Sequence, residues 1–111
     1  MADDSLLEAN TMGRQAQHVY TDPASIEHIE YLVDELPANG HVVLLLKDGS
    51  SCDGVVMTRP SVQLFRDADQ HEGINATVRL ERPDVPDWSR RVWLDQIVRV
   101  EHLDSVMGGE N

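Results

Sequence analysis

An unbroken apolar run at residues 42–46 constrains the fold of this chain more than any other stretch. It begins with two β-branched valines, follows Asn39-Gly40 and is closed by Asp48-Gly49. A short apolar run between two turn dipeptides is typical of a strand buried on both faces. Asp-Gly supplies the positive φ angles of a tight hairpin turn, so we expect the next strand to return directly onto this one.

One amphipathic helix is predicted before the apolar run, at about residues 23–36. Asp22 is a good N-cap, and Pro23 suits the first helical position because the missing amide has no partner there anyway. Pro37 then ends the helix. Apolar residues recur at spacings of three and four, which predicts one buried stripe. This stripe consists of Ile26, Ile29, Leu32, Val33 and Leu36.

The rest of the pattern is that of β-strands, so the chain is expected to form a mainly β domain over residues 21–104. Strands are expected at about 41–47, 50–66, 74–81, 90–94 and 97–103. The second is expected to be bent or broken near Pro60, because proline removes a ladder donor. A small five-stranded antiparallel barrel, SH3-like and capped by one N-terminal α-helix, removes unpaired strand edges. Residues 1–20 and 105–111 are predicted to be a flexible leader and a flexible tail.

The charge balance argues against non-specific binding of nucleic acid. The 111 residues include 20 acidic and 9 basic side chains, a formal net charge of −11, and a field of this sign repels a polyanion. The apolar run is far shorter than the roughly 20 residues that span a membrane. One cysteine, Cys52, cannot form an internal disulfide, which suits a reducing compartment. We therefore expect a cytoplasmic protein with no membrane association.

No catalytic, metal or cofactor site is predicted from the sequence, and we expect that the protein is not an enzyme. Cys52 is followed by the acidic Asp53, whereas a reactive thiolate needs a cationic setting. Four potential metal ligands fall within six residues, at Asp67, Asp69, His71 and Glu72. Their spacing departs from that of a calcium loop, so a solvated polar turn is the favoured interpretation.

The order of elements resembles the Sm/LSm-like barrel, in which an N-terminal helix covers a strongly bent five-stranded sheet. The resemblance covers roughly residues 22–103 and is carried by Val43-x-Leu45-x-Lys47-Asp48-Gly49, by Gly54-Val55-Val56 and by residues 94–100. The chain also resembles a small proteobacterial family of unknown function with an Sm-like barrel. The residues that match this family are 19–23, 62–65, 72–76 and 93–97.

Two departures from the Sm pattern affect what the resemblance implies about RNA. The Arg-Gly or Lys-Gly pair between the last two strands of RNA-binding Sm proteins is replaced here by Asp95-Gln96. No Asp-x-x-x-Asn segment occurs between Met57 and Leu80. The RNA-holding positions of the Sm family are therefore not carried over to this chain, and RNA is disfavoured as a partner.

Two tryptophans and three arginines form the predicted interaction surface: Trp88, Arg90, Arg91, Trp93 and Arg99. Tryptophan and arginine are enriched at protein interfaces, and aromatic rings also stack on bases. Our main hypothesis is a non-catalytic interaction module that self-associates or binds another protein. The alternative is an LSm-like RNA-binding protein that uses Arg90, Arg91, Arg99 and Trp88. A simpler interpretation places Trp93 in the core, Trp88 as a loop anchor and the arginines in surface ion pairs.

Overall fold

The computed structural model describes residues 14–103, so residues 1–13 of the predicted leader and the predicted tail lie outside it. Within this part of the chain, one α-helix and seven strands follow one another, with a 3-10 turn at Leu94–Gln96 before the last strand. They are α1 (Pro23–Asp34), β1 (His41–Leu46), β2 (Ser51–Val56), β3 (Gln63–Arg66), β4 (Glu72–Asn75), β5 (Thr77–Arg82), β6 (Val85–Trp93) and β7 (Ile97–His102).

Five strands form one antiparallel sheet in the order β6-β5-β2-β1-β7, and β3 pairs with β4 as a separate hairpin. The fold is therefore mainly β with one helix, as predicted. No helix among residues 14–103 has the length and apolar character needed to cross a membrane.

The predicted hairpin between β1 and β2 is confirmed. Gly49 has a φ of +90°, and the Asp48 carboxylate accepts hydrogen bonds from the amide and hydroxyl of Ser50 at 2.9 and 2.6 Å. Along β1, fully buried and half-buried residues alternate, with Val42 and Leu44 on the buried face. The strand is therefore fully buried on one face and half-buried on the other, whereas the sequence predicts full burial on both faces.

The helix α1 begins as predicted and ends two residues earlier than predicted. The Asp22 carboxylate accepts a hydrogen bond from the Ser25 amide at 2.9 Å, and Pro23 occupies the first position. The α conformation is disfavoured for Leu36, which precedes proline, and the helix ends at Asp34. The helix covers one face of the sheet through a shared core of Ile29, Leu32, Leu36, Val42, Leu44, Leu80, Leu94 and Ile97.

The predicted closed barrel is wrong, because the five-stranded sheet stays open. Its two edges are β6 and β7, which do not pair with each other. In a closed barrel, each strand is staggered and pairs with the strand on either side of it. However, β2 ends at Val56 and pairs with β5 only at Val55 and Val56. The strand that would have to bend around the barrel is too short to do so.

Two predicted strands are each divided in two. The stretch 50–66 breaks around Pro60, so that β3 leaves the sheet of β2 and pairs with β4. The stretch 74–81 breaks at Ala76, whose amide donates a 2.8 Å hydrogen bond to the Asn75 side chain instead of to a neighbouring strand. Seven strands thus replace the five that the sequence pattern predicts.

The strand β6 is longer than the predicted strand 90–94. Only Pro83 and Asp84 turn the chain between β5 and β6, so β6 already begins at Val85. Pro86 is tolerated within the strand because β6 lies at the edge of the sheet. An amide on the outer side of an edge strand has no neighbouring strand to bond, so its absence costs no ladder hydrogen bond.

The segment 14–20 packs against the domain, which corrects the prediction of a flexible leader for these residues. Ala16 is buried, and its amide donates to the Arg66 carbonyl at 3.0 Å. Tyr20 and Ile74 exchange backbone hydrogen bonds of 3.0 and 2.8 Å. The segment thus adds two short bridges to the β3–β4 hairpin. The sequence shows no sign of this docking, because it depends on residues more than 45 positions away.

Gly73 provides a test of this docking. A Cβ atom at Gly73 would lie 2.8 Å from both the backbone nitrogen and the backbone oxygen of Tyr20. We expect Gly73→Ala to push the segment off the hairpin and to lower the free energy of unfolding by about 1–3 kcal/mol, the usual cost of overpacking. Urea denaturation measures this change, with the exposed Glu27→Ala as a control that stays within about 0.5 kcal/mol. Equal stability of the Gly73→Ala and wild-type proteins would contradict the close approach.

Candidate ligand-binding groove

Only two residues of the predicted interaction surface, Arg91 and Trp93, line a common groove. They are two positions apart on β6 and therefore lie on the same face of the strand. Arg90 lies on the other face, opposite the buried Leu80 of β5. The simpler interpretation of Trp93 as a core residue is wrong, since the core residue here is its neighbour Val92.

The remaining residues of the predicted surface lie elsewhere. The ring of Trp88 packs against the core, and the Arg82 guanidinium carbon lies 4.0 Å from its centroid in a cation–π contact. Arg99 lies on β7, where it donates a 2.7 Å hydrogen bond to Glu101. The predicted set of Trp88, Arg90, Arg91 and Arg99 is therefore not gathered in one groove.

The groove has a volume of about 460 Å³ and lies between the β3–β4 hairpin and the β5–β6 part of the large sheet. The break around Pro60 forms one wall, and the docked segment 14–20 contributes to another. Three strands each contribute two residues spaced two apart, as the pleat requires. Its arginines and aromatic residues are Arg14, Arg59, Arg79, Arg91, Phe65 and Trp93.

The groove is cationic although the chain as a whole is acidic. It holds four of the eight arginines of the chain, and none of the described residues that line it is an aspartate or a glutamate. Arg59 is ion-paired with Asp34 of α1, and Arg79 lies 3.5 Å from Glu81. Among residues 14–103, no hydrogen bond or ion pair engages the side chain of Arg91. The groove therefore presents local positive charge within a negative overall field.

Arg79 and Arg91 lie directly opposite each other on β5 and β6. The Cβ atoms of such a pair are about 5 Å apart, and like charges in this arrangement are destabilising. The fold therefore places two arginines opposite each other on neighbouring strands, and of the two only Arg79 has an ion-pair partner among residues 14–103, Glu81. An anion between them removes the repulsion between like charges, which is the electrostatic condition for an anion-binding site.

An aromatic pair joins the hairpin to the sheet beside these arginines. The rings of Phe65 on β3 and Trp93 on β6 lie edge to face, with centroids 5.0 Å apart and planes at 72°. Both residues are half-buried, so part of the ring surface stays accessible from the groove. Gln63 and Thr77 add an amide and a hydroxyl to the same lining. The groove thus combines cations, an aromatic surface and hydrogen-bonding groups.

Sequence reasoning missed Arg14 and Arg59 as members of this site. Arg14 belongs to the segment predicted to be flexible, and Arg59 belongs to the break at Pro60. The pair Arg79 and Arg91 becomes visible only with the register of β5 against β6. This register could not be derived from the short Pro83-Asp84 turn, because the pairing of β5 with β6 shifts between Glu81 and Arg82.

The polar turn after β3 needs no ligand to explain it. One carboxylate oxygen of Asp67 accepts hydrogen bonds of 2.9 Å from the amides of both Asp69 and His71. Asp67, Asp69 and His71 are the described residues whose ligand atoms lie near enough to share a metal ion. An aspartate that bonds the backbone two residues ahead is an ordinary turn device, and the solvated polar turn stays a prediction.

Asp95-Gln96, which replaces the basic pair of Sm proteins, has a structural role here. Asp95 lies in the 3-10 turn with only 6% of its surface exposed, and it accepts a 3.0 Å hydrogen bond from the Tyr20 hydroxyl. Burial and the Asp95 carboxylate raise the pKa of Tyr20 to about 12. The bond therefore fastens the end of the docked segment to the turn between β6 and β7.

This hydrogen bond predicts an alkaline loss of stability. The pKa of Tyr20 is higher in the folded protein than its ordinary value of about 10, so the neutral phenol favours the fold. The contribution is complete below about pH 10 and is lost as the pH rises towards 12. Urea denaturation at pH 8 and pH 11 should show a larger loss for the wild type than for Tyr20→Phe. An equal loss in both proteins would contradict the assignment.

The helix-first order and the antiparallel arrangement around β1 place the protein among Sm-like folds. A family model described as a domain of unknown function, DUF3247, matches residues 13–103, and the chain belongs to this family. The crystal structure of XC5848 from Xanthomonas campestris, described as a novel variant of the Sm-like motif, is similar with a TM-score of 0.74. The two chains are 36% identical, over 79% of this chain and 95% of that one. No curated protein matches the chain.

The predicted resemblance to a family of unknown function with an Sm-like fold is thereby confirmed. The family description carries no activity, so any function must be argued from the groove and from the sheet edges.

Proposed function

We propose that the protein is a non-catalytic binding module that recognises an anionic partner in the groove. The observation that carries this proposal is the gathering of four arginines, with no carboxylate in the described lining, in a chain of net charge −11. A guanidinium presents planar donors that match oxyanions. Two of these arginines also pair with acids outside the lining, Arg59 with Asp34 and Arg79 with Glu81, whereas Arg91 has no such partner among residues 14–103.

The content of the groove favours binding over catalysis. Catalysis by acyl or phosphoryl transfer needs a nucleophile or a base within hydrogen-bond reach of the reacting group. The described lining offers arginines, hydroxyls and amides. Cys52 is buried in the core, and the buried Asp95 is bonded to Tyr20 away from the groove. The chemistry of the groove is therefore that of recognition.

Two neighbouring arginines on β6 give a matched test of anion binding. Arg91→Gln removes a groove cation, and Arg90→Gln removes the same charge from the other face. With inorganic pyrophosphate at low salt, we expect Arg91→Gln to weaken binding by about 10-fold or more, since a charge-assisted hydrogen bond contributes about 1.5–3 kcal/mol. Arg90→Gln should stay within about twofold. Isothermal titration calorimetry measures both.

The outcomes of this test separate the groove from general electrostatics. Equal weakening in Arg90→Gln and Arg91→Gln would assign binding to net charge and contradict the proposal, as would the absence of any binding. Thermal denaturation excludes misfolding as the cause. Because Arg91→Gln removes a like-charge pair across two strands, it should be at least as stable as the wild type.

Self-association is a second candidate function, and the open sheet favours it. Unpaired amide and carbonyl groups at a strand edge can pair with another chain. Both edges of the large sheet carry an exposed valine, Val85 on β6 at 43% and Val98 on β7 at 57%. One copy can therefore add its β6 edge to the β7 edge of the next.

Light scattering over a concentration series tests self-association. We expect the wild type to exceed the 12.4 kDa of one chain and Val98→Lys to remain monomeric, because a charge on an edge strand opposes pairing. Leu64→Lys is the control, since Leu64 is also 57% exposed but lies on the separate hairpin. A wild type that remains monomeric at high concentration would end this candidate. Equal masses for the wild type and Val98→Lys would exclude β7 as the interface.

A further inference from the structure

We propose that the ligand of the groove is a single nucleotide, a nucleoside monophosphate, rather than a strand of nucleic acid. This inference rests on the anion-binding function proposed above and narrows its ligand class. It follows from three features of the groove: the paired arginines, the neighbouring aromatic rings and the acidic surroundings.

The paired arginines fit a phosphate better than a carboxylate. Arg79 and Arg91 lie opposite each other in the register of β5 and β6 and both line the groove, so one anion bound there can contact both guanidinium groups. A carboxylate has two oxygens and one charge, which is enough for one bidentate arginine. A phosphate monoester carries up to two charges and three terminal oxygens, so it satisfies both guanidinium groups at once.

The aromatic rings lie at the distance that a nucleotide requires. Trp93 follows Arg91 by two positions on the same face of β6, a separation of about 7 Å along the strand. A base attached to a phosphate between the arginines therefore reaches the ring of Trp93. Stacking of a base on an aromatic side chain contributes about 1–3 kcal/mol. Gln63 and Thr77 line the same space and can form hydrogen bonds with the base edge or the sugar.

The surroundings of the groove disfavour a longer strand. Each further phosphate of a strand needs a cation outside the groove. Two of the arginines there are paired with acids, Arg82 with Asp53 at 3.0 Å and Arg99 with Glu101. The rest of the surface contributes to a net charge of −11 and repels the flanking phosphates. The volume of about 460 Å³ also lies in the range of small-molecule sites.

Fluorescence of a single tryptophan tests this inference. The chain has two tryptophans, so Trp88→Phe leaves Trp93 as the only reporter and keeps an aromatic ring under Arg82. The probes are adenosine and uridine 5′-monophosphate, ribose 5-phosphate, and decamers of oligo(A) and oligo(U), at about 100 mM salt. We expect the mononucleotides to quench Trp93 and to bind about 10-fold tighter than ribose 5-phosphate. The decamers should bind no tighter than the mononucleotides.

The probes distinguish failure of the inference from failure of the proposed function. If ribose 5-phosphate binds as tightly as the mononucleotides, the groove is an anion site without base recognition, and the inference is overturned while the proposed function stands. Decamers that bind 100-fold tighter than mononucleotides would identify a strand as the ligand and also overturn it. If no probe binds, both fail.

Two variants assign the stacking surface. Calorimetry with Trp93→Leu should show ribose 5-phosphate binding unchanged and the preference for a nucleotide lost. Phe65→Leu serves as the second variant, because it alters the ring pair from the hairpin side and leaves the strand β6 intact. Retention of the full nucleotide preference in both variants would show that the rings do not contact a base.

Discussion

The interruption of the chain around Pro60 is the constraint on which the rest of this structure depends. Proline cannot donate to a sheet ladder, and β2 ends four residues before it, at Val56. The next strand is therefore free to leave the sheet and to form the β3–β4 hairpin. Because the long strand is lost, the five-stranded sheet stays open at β6 and β7. The space between hairpin and sheet becomes the groove, with Pro60 itself in its wall.

Long-range contacts then hold the detached hairpin in place, which keeps the walls of the groove at a fixed distance. Phe65 and Trp93 join the hairpin to β6. On the other side, Gly73 allows the backbone of Tyr20 to approach and pair with the hairpin, and the Tyr20 hydroxyl continues to Asp95. Asp95, which replaces the basic residue of Sm proteins, therefore helps to hold the hairpin that forms one wall of the groove. The docked segment links the turn at Asp95 to this hairpin.

Local chemistry accounts for what the sequence could predict, and non-local contacts account for what it could not. The Asp22 cap and the Asp48-Gly49 turn each depend on residues within a few positions, so the helix and the first hairpin were predicted correctly. The break at Ala76 depends on Asn75, which bonds its neighbour and also donates to a carbonyl 57 residues away. Arg91 and Trp93 were selected from composition alone, and their partner Arg79 required the strand register.

In the sequence, the negative charge of the chain argues against a nucleic-acid ligand. In the proposed binding mode, the same charge favours a single nucleotide over a strand. A short anion meets only the groove, where four arginines outnumber the two acids that pair with Arg59 and Arg79. A polyanion also meets the acidic surface, at distances within the Debye length of about 10 Å at 0.1 M salt. Added salt screens that repulsion as well as the attraction of the arginines. Discrimination between a nucleotide and a strand is therefore a property of the whole charge distribution, whereas recognition of the phosphate belongs to Arg79 and Arg91.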